Sequence, residues 1–190
     1  MILGLTGSIG MGKTATAALF ALKGAAVWDA DAAVRRLYAP DGPAPALLEA
    51  AFPGTVSADG HVDRAALRAV VAADAGALDR LNGIVHPLVA EDRAAFLAAN
   101  AAPVAVLDVP LLFETGLDAA CDATVVASTD PARQRARVLA RGTMTADDLD
   151  AILSRQMPDA DKRARADYIV DTTTPETAAR AVDAIWEAIA

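Results

Sequence analysis

Short apolar runs alternate along the chain with longer segments whose apolar residues recur at helical spacing. The short runs have the length and the Val and Ile content of buried strands, which are predicted over residues 2–6, 26–29, 104–109, 124–127 and 168–170. The last segment, with Ala178, Val182 and Ile185 at helical spacing, predicts an amphipathic helix. Strands that alternate with helices pair in parallel through right-handed crossovers. The pattern therefore predicts an open α/β fold, a mainly parallel five-stranded sheet with flanking helices.

Local signals mark where several of these helices begin. Pro175 after Thr174 suits the start of the last helix, and Pro131 suits the start of an earlier one. Thr145 followed by Asp148 resembles a capping box and predicts a helix that runs on to Gln156.

One stretch interrupts the alternation of strands and helices. Residues 43–100 carry helical patterns over 65–73 and 88–99, joined by the segment FPGTVSADG, and no convincing strand. A chain of 190 residues has the length of one domain. We therefore expect a single domain over 1–190 with a helical, substrate-side insertion over about 43–100.

Composition and charge narrow the class of protein. An apolar content of 54% with 22% charged residues is typical of a globular chain. The net charge of −8 argues against broad binding to nucleic acid or a membrane surface, so a protein that handles phosphates must gather its positive charge locally. Cys121 is the one cysteine, and the opening MILGLTG has neither the basic start of a signal peptide nor the length of a membrane span. We expect a cytoplasmic protein.

The strongest chemical signal is GSIGMGKT, residues 7–14, which fits the phosphate-binding pattern G-x-x-x-x-G-K-[ST] between a predicted strand and a predicted helix. In such a loop backbone N–H groups converge on phosphates at a helix N-terminus. We expect Lys13 to reach the β- and γ-phosphates of ATP and the Thr14 hydroxyl to ligate Mg²⁺. The alternative is a turn that merely links strand to helix. The residues expected at the nucleotide are Gly7, Gly10, Met11, Gly12, Lys13, Thr14 and Ala15.

Carboxylates lie near the carboxyl ends of two of the predicted strands. Asp29 ends the second strand and Asp31 lies two residues further on. A carboxylate there can hold an acceptor hydroxyl and take its proton, although Asp31 equally suits a helix N-cap and Asp29 a solvated strand end. Asp108 follows an apolar run and resembles a Walker-B aspartate, which predicts a Mg²⁺ ligand.

Arginines are clustered on the helix that begins near Pro131. Arg133, Arg137 and Arg141 are spaced by four and share one face, where like charges repel unless an anion binds. We expect Arg137 and Arg141 to clamp phosphates from a lid over about 133–160 that excludes water when it closes. A solvated basic face is the alternative, and it is the one we favour for Arg135.

Missing motifs exclude other classes of nucleotide-binding protein. The chain has no [NT]-K-x-D guanine-recognition motif, and it lacks the H-R-D and D-F-G motifs of two-lobed protein kinases, for which it is also too short. A small-molecule kinase remains, with a regulatory ATPase as the hypothesis from another class.

Taken in order, the landmarks resemble those of the dephospho-coenzyme A kinase family. The resemblance runs from residue 2 to about residue 171 and rests on motifs that are weak singly and specific together. They are the glycine-rich loop, Asp29-Ala30-Asp31, the leucine-rich segment ending in His86-Pro87, V-P-L-L-x-E over 109–114, Gln134 with Arg137 and Arg141, I-L-x-x-Q over 152–156 and A-D-x-x-[IV]-D over 166–171.

The resemblance implies an ATP-dependent transfer to the ribose 3′-hydroxyl of dephospho-CoA, giving CoA and ADP in the last step of coenzyme A biosynthesis. It implies Asp31 as the base with Asp29 beside it, and substrate contacts from His86, Pro87 and the helical insertion. Leu111 belongs to a segment that resembles packing and wall residues. From the residues alone, His86 equally suits a structural histidine before a helix-starting proline.

Two segments depart from the family pattern. The loop reads G-K-T-A where G-K-S-T is frequent, which keeps a hydroxyl at Thr14. Residues 171–174, where the adenine is expected, read Asp-Thr-Thr-Thr without the frequent Asn and Gly. The open alternatives are another small-metabolite or nucleoside monophosphate kinase of the P-loop class and, less favoured, a regulatory P-loop ATPase.

Overall fold

The computed structural model describes residues 1–189, which form five strands and nine α-helices. In chain order these are β1 (Ile2–Thr6), α1 (Lys13–Leu22), β2 (Ala26–Asp29), α2 (Ala30–Leu37), α3 (Ala44–Ala51), α4 (Arg64–Ala73), α5 (Ala77–Ala99), β3 (Ala105–Asp108), β4 (Ala123–Ser128), α6 (Pro131–Ala140), α7 (Ala146–Leu153), α8 (Asp159–Arg165), β5 (Tyr168–Asp171) and α9 (Pro175–Ile189). A short 3-10 helix covers Leu117–Ala120. The chain divides into a sheet unit, Met1–Asp29 with the residues from Asn100 onward, and a helical unit, Ala30–Ala99.

The sheet unit contains one parallel sheet with strand order β2-β3-β1-β4-β5. This confirms the predicted fold class. The boundaries of β3 differ from the predicted 104–109 by one residue at each end, although Val104 and Val109 still exchange single backbone hydrogen bonds with the neighbouring strands. Every residue of β3 and β4 is buried, which is why these strands are continuous apolar runs in the sequence.

The core of the sheet unit lies where β1, β3, β4 and β5 meet α1 and α9. Leu5, Val106, Phe20, Val182 and Ile185 are all within this buried cluster. The predicted apolar face of the last helix is therefore the face that packs on the sheet. Because all the strands are parallel, their carboxyl ends lie along one edge, with Leu5 and Asp29 both in register with Asp108.

The start of α7 was predicted correctly and its end was not. Thr145 and Asp148 form a reciprocal capping box, with Thr145 N–H to Asp148 Oδ2 at 2.9 Å and Asp148 N–H to Thr145 Oγ1 at 3.2 Å. The helix ends at Leu153 instead of Gln156, because the chain tightens into a turn in which the Gln156 N–H donates to the Leu153 carbonyl. Pro158 follows and cannot continue a helix.

The helical unit has its own core, formed by residues such as Leu37, Leu48, Phe52, Leu67 and Val85. The helices predicted over 65–73 and 88–99 lie within α4 and α5. An isolated antiparallel bridge between Val56 and Val62 lies in the connection from α3 to α4. No helix in residues 1–189 combines the length and the apolar character that crossing a membrane requires.

Pro87 lies inside α5, so the suggestion that it starts a helix is wrong. Proline lacks an N–H, and the carbonyl that it leaves without a helical donor is that of Gly83. Gly83 is exposed, so water can take that bond. Because α5 also buries Ala77 and Val85 in the core, its packing holds the helix together across the proline.

Candidate active site

The loop between β1 and α1 has the conformation of a phosphate cradle. Gly10 and Gly12 have φ of 80° and 88°, in the left-handed region that glycine adopts at little cost. Gly12 is the N-cap of α1 and has no side chain to cap the N–H groups of the first turn, and no acidic residue occupies that turn. Thr14 and Ala15 are exposed in that turn. The positive end of the helix dipole is therefore open to an anion.

The same glycines allow close packing against the rest of the sheet unit. A Cβ atom on Gly10 would lie 2.5 Å from Val138 of α6, and one on Gly12 would lie 2.9 Å from Thr172. A Cβ atom on Gly7 would lie 2.7 Å from the Ala127 carbonyl oxygen. Side chains at these positions would push the loop away from α6, from β4 and from the segment after β5.

Lys13 and Asp108 form an ion pair at the carboxyl edge of the sheet. Their side chains are 15% and 5% exposed, so the pair is shielded from bulk water. Asp29 is in register with Asp108 on the neighbouring strand, which places two predicted carboxylates on adjacent strand ends. The structure thus brings together Lys13, Asp108 and the strand position of Asp29.

Asp31 lies in the first turn of α2 and is exposed. Because α2 begins at Ala30, Asp31 is inside the helix and the N-cap alternative is wrong. A carboxylate in the first turn interacts favourably with the helix dipole. His86 and Pro87 are both exposed on α5, and within the described residues 30–99 the His86 imidazole has no hydrogen bond. The exposed His86 side chain is accessible to a substrate, and its role stays a prediction.

Arg137 binds the segment that follows β5. Its guanidinium donates to the Thr172 hydroxyl at 3.2 Å, to the Thr173 carbonyl at 3.4 Å and to the Thr172 carbonyl. Arg133 adds a bond to the Thr173 carbonyl at 3.2 Å. The exposed Arg141 side chain has no ion pair or hydrogen bond in the described residues 100–189. Arg135 pairs with Asp150 on the exposed side, in agreement with the solvated position favoured for it.

Threonine hydroxyls order the segment at 171–174 that departs from the family pattern. The Thr172 hydroxyl donates to the Met11 carbonyl at 2.7 Å, which ties this segment to the phosphate loop. Asp171 accepts the Thr173 N–H at 2.8 Å. Hydrogen bonds from Thr173 and the nearby charges of Arg133 and Arg163 lower the pKa of Asp171. The segment is therefore held by side-chain hydrogen bonds and by Arg137.

Met11 and the V-P-L-L-F segment are mostly structural. The Met11 side chain is 2% exposed, and its sulfur accepts the Thr129 N–H at 3.3 Å. Leu112 and Phe113 are buried, whereas Leu111 is 40% exposed. Of these residues, Leu111 is the one whose side chain is available to a substrate.

Sequence reasoning gave no role to two glutamines that contact the phosphate loop. Gln134 of α6 donates from Nε2 to the Ile9 carbonyl at 2.7 Å, and the Ile9 N–H donates to Gln156 Oε1 at 3.3 Å. Both glutamines occur in motifs that carried the family resemblance. Gln134 is 5% exposed and lies on the buried side of α6 with Val138. A polar residue on that otherwise apolar side was the sequence signal that could have indicated its role.

Sequence reasoning also missed an ion pair between a buried lysine and Glu114. Lys162 is fully buried, and its ammonium group donates to the Pro110 carbonyl at 3.0 Å and pairs with Glu114 at 2.9 Å. Glu114 also accepts the Met157 N–H at 2.8 Å. Burial raises the pKa of Glu114, but the Met157 and Lys162 hydrogen bonds outweigh it and leave that pKa below its ordinary value. A signal existed, because Lys162 is one of three lysines in an arginine-rich chain.

A cavity of about 820 Å³ lies within the sheet unit beside the phosphate loop. Ser8 and Met11 of the loop line it, together with Thr129, Gln134 and Thr173. A volume of this size falls in the range of small-molecule sites.

The comparisons with known proteins agree on one family. The family model for dephospho-CoA kinase matches residues 1–176. A dephospho-CoA kinase of Jannaschia sp. (strain CCS1) is 59% identical over 173 residues, which are 90% of this chain and 88% of the relative. A dephospho-CoA kinase of Cereibacter sphaeroides is 56% identical over 187 residues, which are 96% of this chain and 92% of the relative.

Solved structures share the fold. The crystal structure of TT1252 from Thermus thermophilus has a TM-score of 0.89 and 31% identity, over 100% of this chain and 98% of that chain. Dephospho-CoA kinase from Campylobacter jejuni has a TM-score of 0.69 at 20% identity, over 99% of this chain and 96% of that chain, which supports the fold alone. On its sequence matches, the chain belongs to the dephospho-CoA kinase family.

Proposed function

We propose that this protein transfers the γ-phosphoryl group of ATP to the ribose 3′-hydroxyl of dephospho-CoA, forming CoA and ADP. The observation that carries the proposal is the family membership, with relatives of 56–59% identity that are named dephospho-CoA kinase. The open phosphate loop and the Lys13–Asp108 pair at its edge supply the geometry that a kinase needs.

The phosphates of ATP would bind at the N-terminus of α1, where Gly10 and Gly12 leave backbone N–H groups free to converge and Lys13 supplies a positive charge. The proposed contacts include the backbone of Gly7, Met11, Thr14 and Ala15. Thr14 and Asp108 offer a hydroxyl and a carboxylate, hard oxygen ligands of the kind that suits Mg²⁺. When bound, that ion would neutralise charge on the transferred phosphoryl group.

In the transfer step, the 3′-oxygen of dephospho-CoA forms a bond to the γ-phosphorus and the bond to the bridging oxygen of ADP breaks. The proton of the 3′-hydroxyl passes to the carboxylate of Asp31, with Asp29 beside it along the chain. Asp31 suits this role because it is exposed and lies two residues after Asp29, the last residue of β2 at the carboxyl edge of the sheet.

The acceptor and the lid involve residues outside the phosphate loop. We assign contacts with the pantetheine-bearing substrate to His86 and Pro87, both exposed on α5, and to the exposed Leu111. Residues 43–100 would form the substrate-side insertion of a single kinase domain, and 133–160 the lid. Arg137 and Arg141 would hold phosphates from that lid and exclude water, which favours transfer over hydrolysis. We further propose a cytoplasmic enzyme that binds neither nucleic acid nor membranes.

An acceptor panel tests the proposal. Mg·ATP is incubated with the protein and dephospho-CoA, AMP, adenosine or shikimate, and products are identified by mass spectrometry. CoA that forms from dephospho-CoA, with the other acceptors unchanged, is the expected result. Phosphorylation of AMP instead would favour a nucleoside monophosphate kinase, and ADP release that ignores every acceptor would favour a regulatory ATPase.

A further inference from the structure

Two glutamines from the α6–α8 region hold consecutive peptide groups of the phosphate loop. Gln134 lies on α6, and Gln156 lies in the turn between α7 and α8. Gln134 Nε2 donates to the Ile9 carbonyl at 2.7 Å, and Gln156 Oε1 accepts the Ile9 N–H at 3.3 Å. Because a carbonyl can only accept and an N–H can only donate, the partners themselves fix which end of each amide faces the loop.

These bonds determine how the neighbouring loop groups point. A trans peptide carries its C=O and its N–H on opposite sides. Turning the Ile9 carbonyl toward Gln134 therefore turns the Gly10 N–H away from α6, and this N–H has no hydrogen-bond partner within residues 1–189. Turning the Ile9 N–H toward Gln156 likewise turns the Ser8 carbonyl the other way, where it accepts the Met11 N–H at 3.1 Å.

Further contacts connect the same elements to the phosphate loop. The Gly10 Cα is so close to α6 that a Cβ atom would lie 2.5 Å from Val138. Next to Gln156, the Met157 N–H donates to Glu114, which pairs with the buried Lys162. Lys162 and the Thr6 hydroxyl both donate to the Pro110 carbonyl, each at 3.0 Å. Thr6 is the last residue before the phosphate loop. The contacts therefore lead from Ile9 through the α7–α8 turn and the Glu114–Lys162 pair back to the start of that loop.

We propose that Gln134 and Gln156 are positioning residues that orient the phosphate loop for the nucleotide, one as a hydrogen-bond donor and the other as an acceptor. The inference rests on the proposed nucleotide-dependent function and adds the residues that preorganise its phosphate site. It assigns to the region after β4 a role in nucleotide affinity that does not depend on a charged contact with the nucleotide.

Replacing each glutamine with glutamate distinguishes the donor from the acceptor, because the two substitutions keep the side-chain shape and add the same charge. Gln156→Glu keeps an acceptor for the Ile9 N–H, whereas Gln134→Glu sets a carboxylate against the Ile9 carbonyl. Gln134→Met and Gln156→Met remove each bond without adding charge. Affinity for Mg·ADP is measured by titration calorimetry at about pH 8, where a glutamate is ionised, and thermal unfolding of each variant reports on folding.

We expect Gln156→Glu to bind Mg·ADP within about threefold of the wild type, and the other three variants to bind about tenfold more weakly. Equal losses in Gln156→Glu and Gln156→Met, or unchanged affinity in all folded variants, would overturn the inference. A purely structural role would lower the unfolding temperature and leave the affinity of the folded protein unchanged. If Gln134→Glu fails to fold, the comparison of the two position-156 variants still decides. The titration contains no phosphoryl acceptor. The order of Mg·ADP affinities among the variants therefore tests this inference independently of whether dephospho-CoA is the substrate.

Discussion

The ammonium group of Lys13 is paired with the carboxylate of Asp108, at the point where the phosphate loop meets the carboxyl edge of the sheet. In a kinase of this fold the lysine is expected on the nucleotide phosphates and the aspartate on the magnesium side. In the absence of a nucleotide, each of these two charges therefore has the other as its counterion. Binding of Mg·ATP would replace the Lys13–Asp108 attraction by one between Lys13 and the phosphates and one between Asp108 and Mg²⁺.

Replacing Lys13 with alanine should lower kcat with dephospho-CoA by about 100-fold, the scale of losing one transition-state charge partner. Lys23→Ala is the matched control, because Lys23 lies at the C-terminal end of α1 and forms an exposed pair with Asp183 of α9. Initial rates of ADP formation measure both variants. Near-normal turnover by Lys13→Ala would contradict the assignment of the phosphate loop.

Replacing Asp108 with asparagine should raise the Mg²⁺ concentration needed for half-maximal rate by about tenfold, since a charged oxygen ligand becomes a neutral one. Asp118→Asn removes a carboxylate that pairs with Arg165 and should leave the requirement unchanged. The measurement is a Mg²⁺ titration at fixed ATP. An unchanged titration curve for Asp108→Asn would exclude Asp108 from the metal side of the site.

Replacing Asp31 with asparagine should reduce kcat by about 100-fold while Mg·ADP affinity stays at the wild-type value, because the proton acceptor is lost and the phosphate loop is intact. Asp29→Asn is the comparison that distinguishes the two carboxylates. If Asp29→Asn alone reduces kcat, the role of base belongs to Asp29.

Replacing Arg137 with lysine should raise the KM for ATP by about tenfold, because an ammonium group cannot make the forked contacts with Thr172 and Thr173. Arg135→Lys alters the exposed pair with Asp150 and should leave this KM unchanged. The two variants are compared in initial-rate assays with ATP varied. Equal KM values for both would show that Arg137 has no part in nucleotide binding.

The stability of the protein should depend on the ionisation of Glu114. Hydrogen bonds from Met157 and Lys162 leave the pKa of Glu114 below its ordinary value of 4.5. A carboxyl group with a lowered pKa stabilises the fold above pH 4.5, and this contribution is lost as the pH falls through the lowered pKa. Denaturant unfolding across this acidic range should show a shallower pH dependence for Glu114→Gln than for wild type. Glu91→Gln, at an exposed position on α5, should follow wild type, and a wild-type slope in Glu114→Gln would contradict the role.

The fold was predictable because its signals are local. Buried parallel strands are apolar runs, so β1 and β2 were predicted with their observed bounds and β3 to within one residue at each end. The phosphate loop follows from one octapeptide in its proper context. The helix across Pro87 was mispredicted because the packing of α5 in the core outweighs the local preference of proline to end a helix.

The contacts around the phosphate loop could not be predicted from the sequence, because they join residues that are far apart along the chain. Gln134 and Gln156 are more than a hundred residues from Ile9, and Lys162 is far from Glu114, so no local periodicity links them. Their roles depend on how α6, α7 and α8 return to the loop. A motif can mark such residues without indicating which backbone group each one binds.

The measurement that tests the central claim most directly uses the wild-type protein, Mg·ATP and either dephospho-CoA or its 3′-deoxy analogue. Products are separated and identified by mass spectrometry, and ADP is quantified in the same samples. We predict equal amounts of ADP and CoA from dephospho-CoA, and neither a phosphorylated product nor ADP above background from the analogue. ADP released equally with both compounds, or phosphate added to the analogue, would contradict transfer to the ribose 3′-hydroxyl.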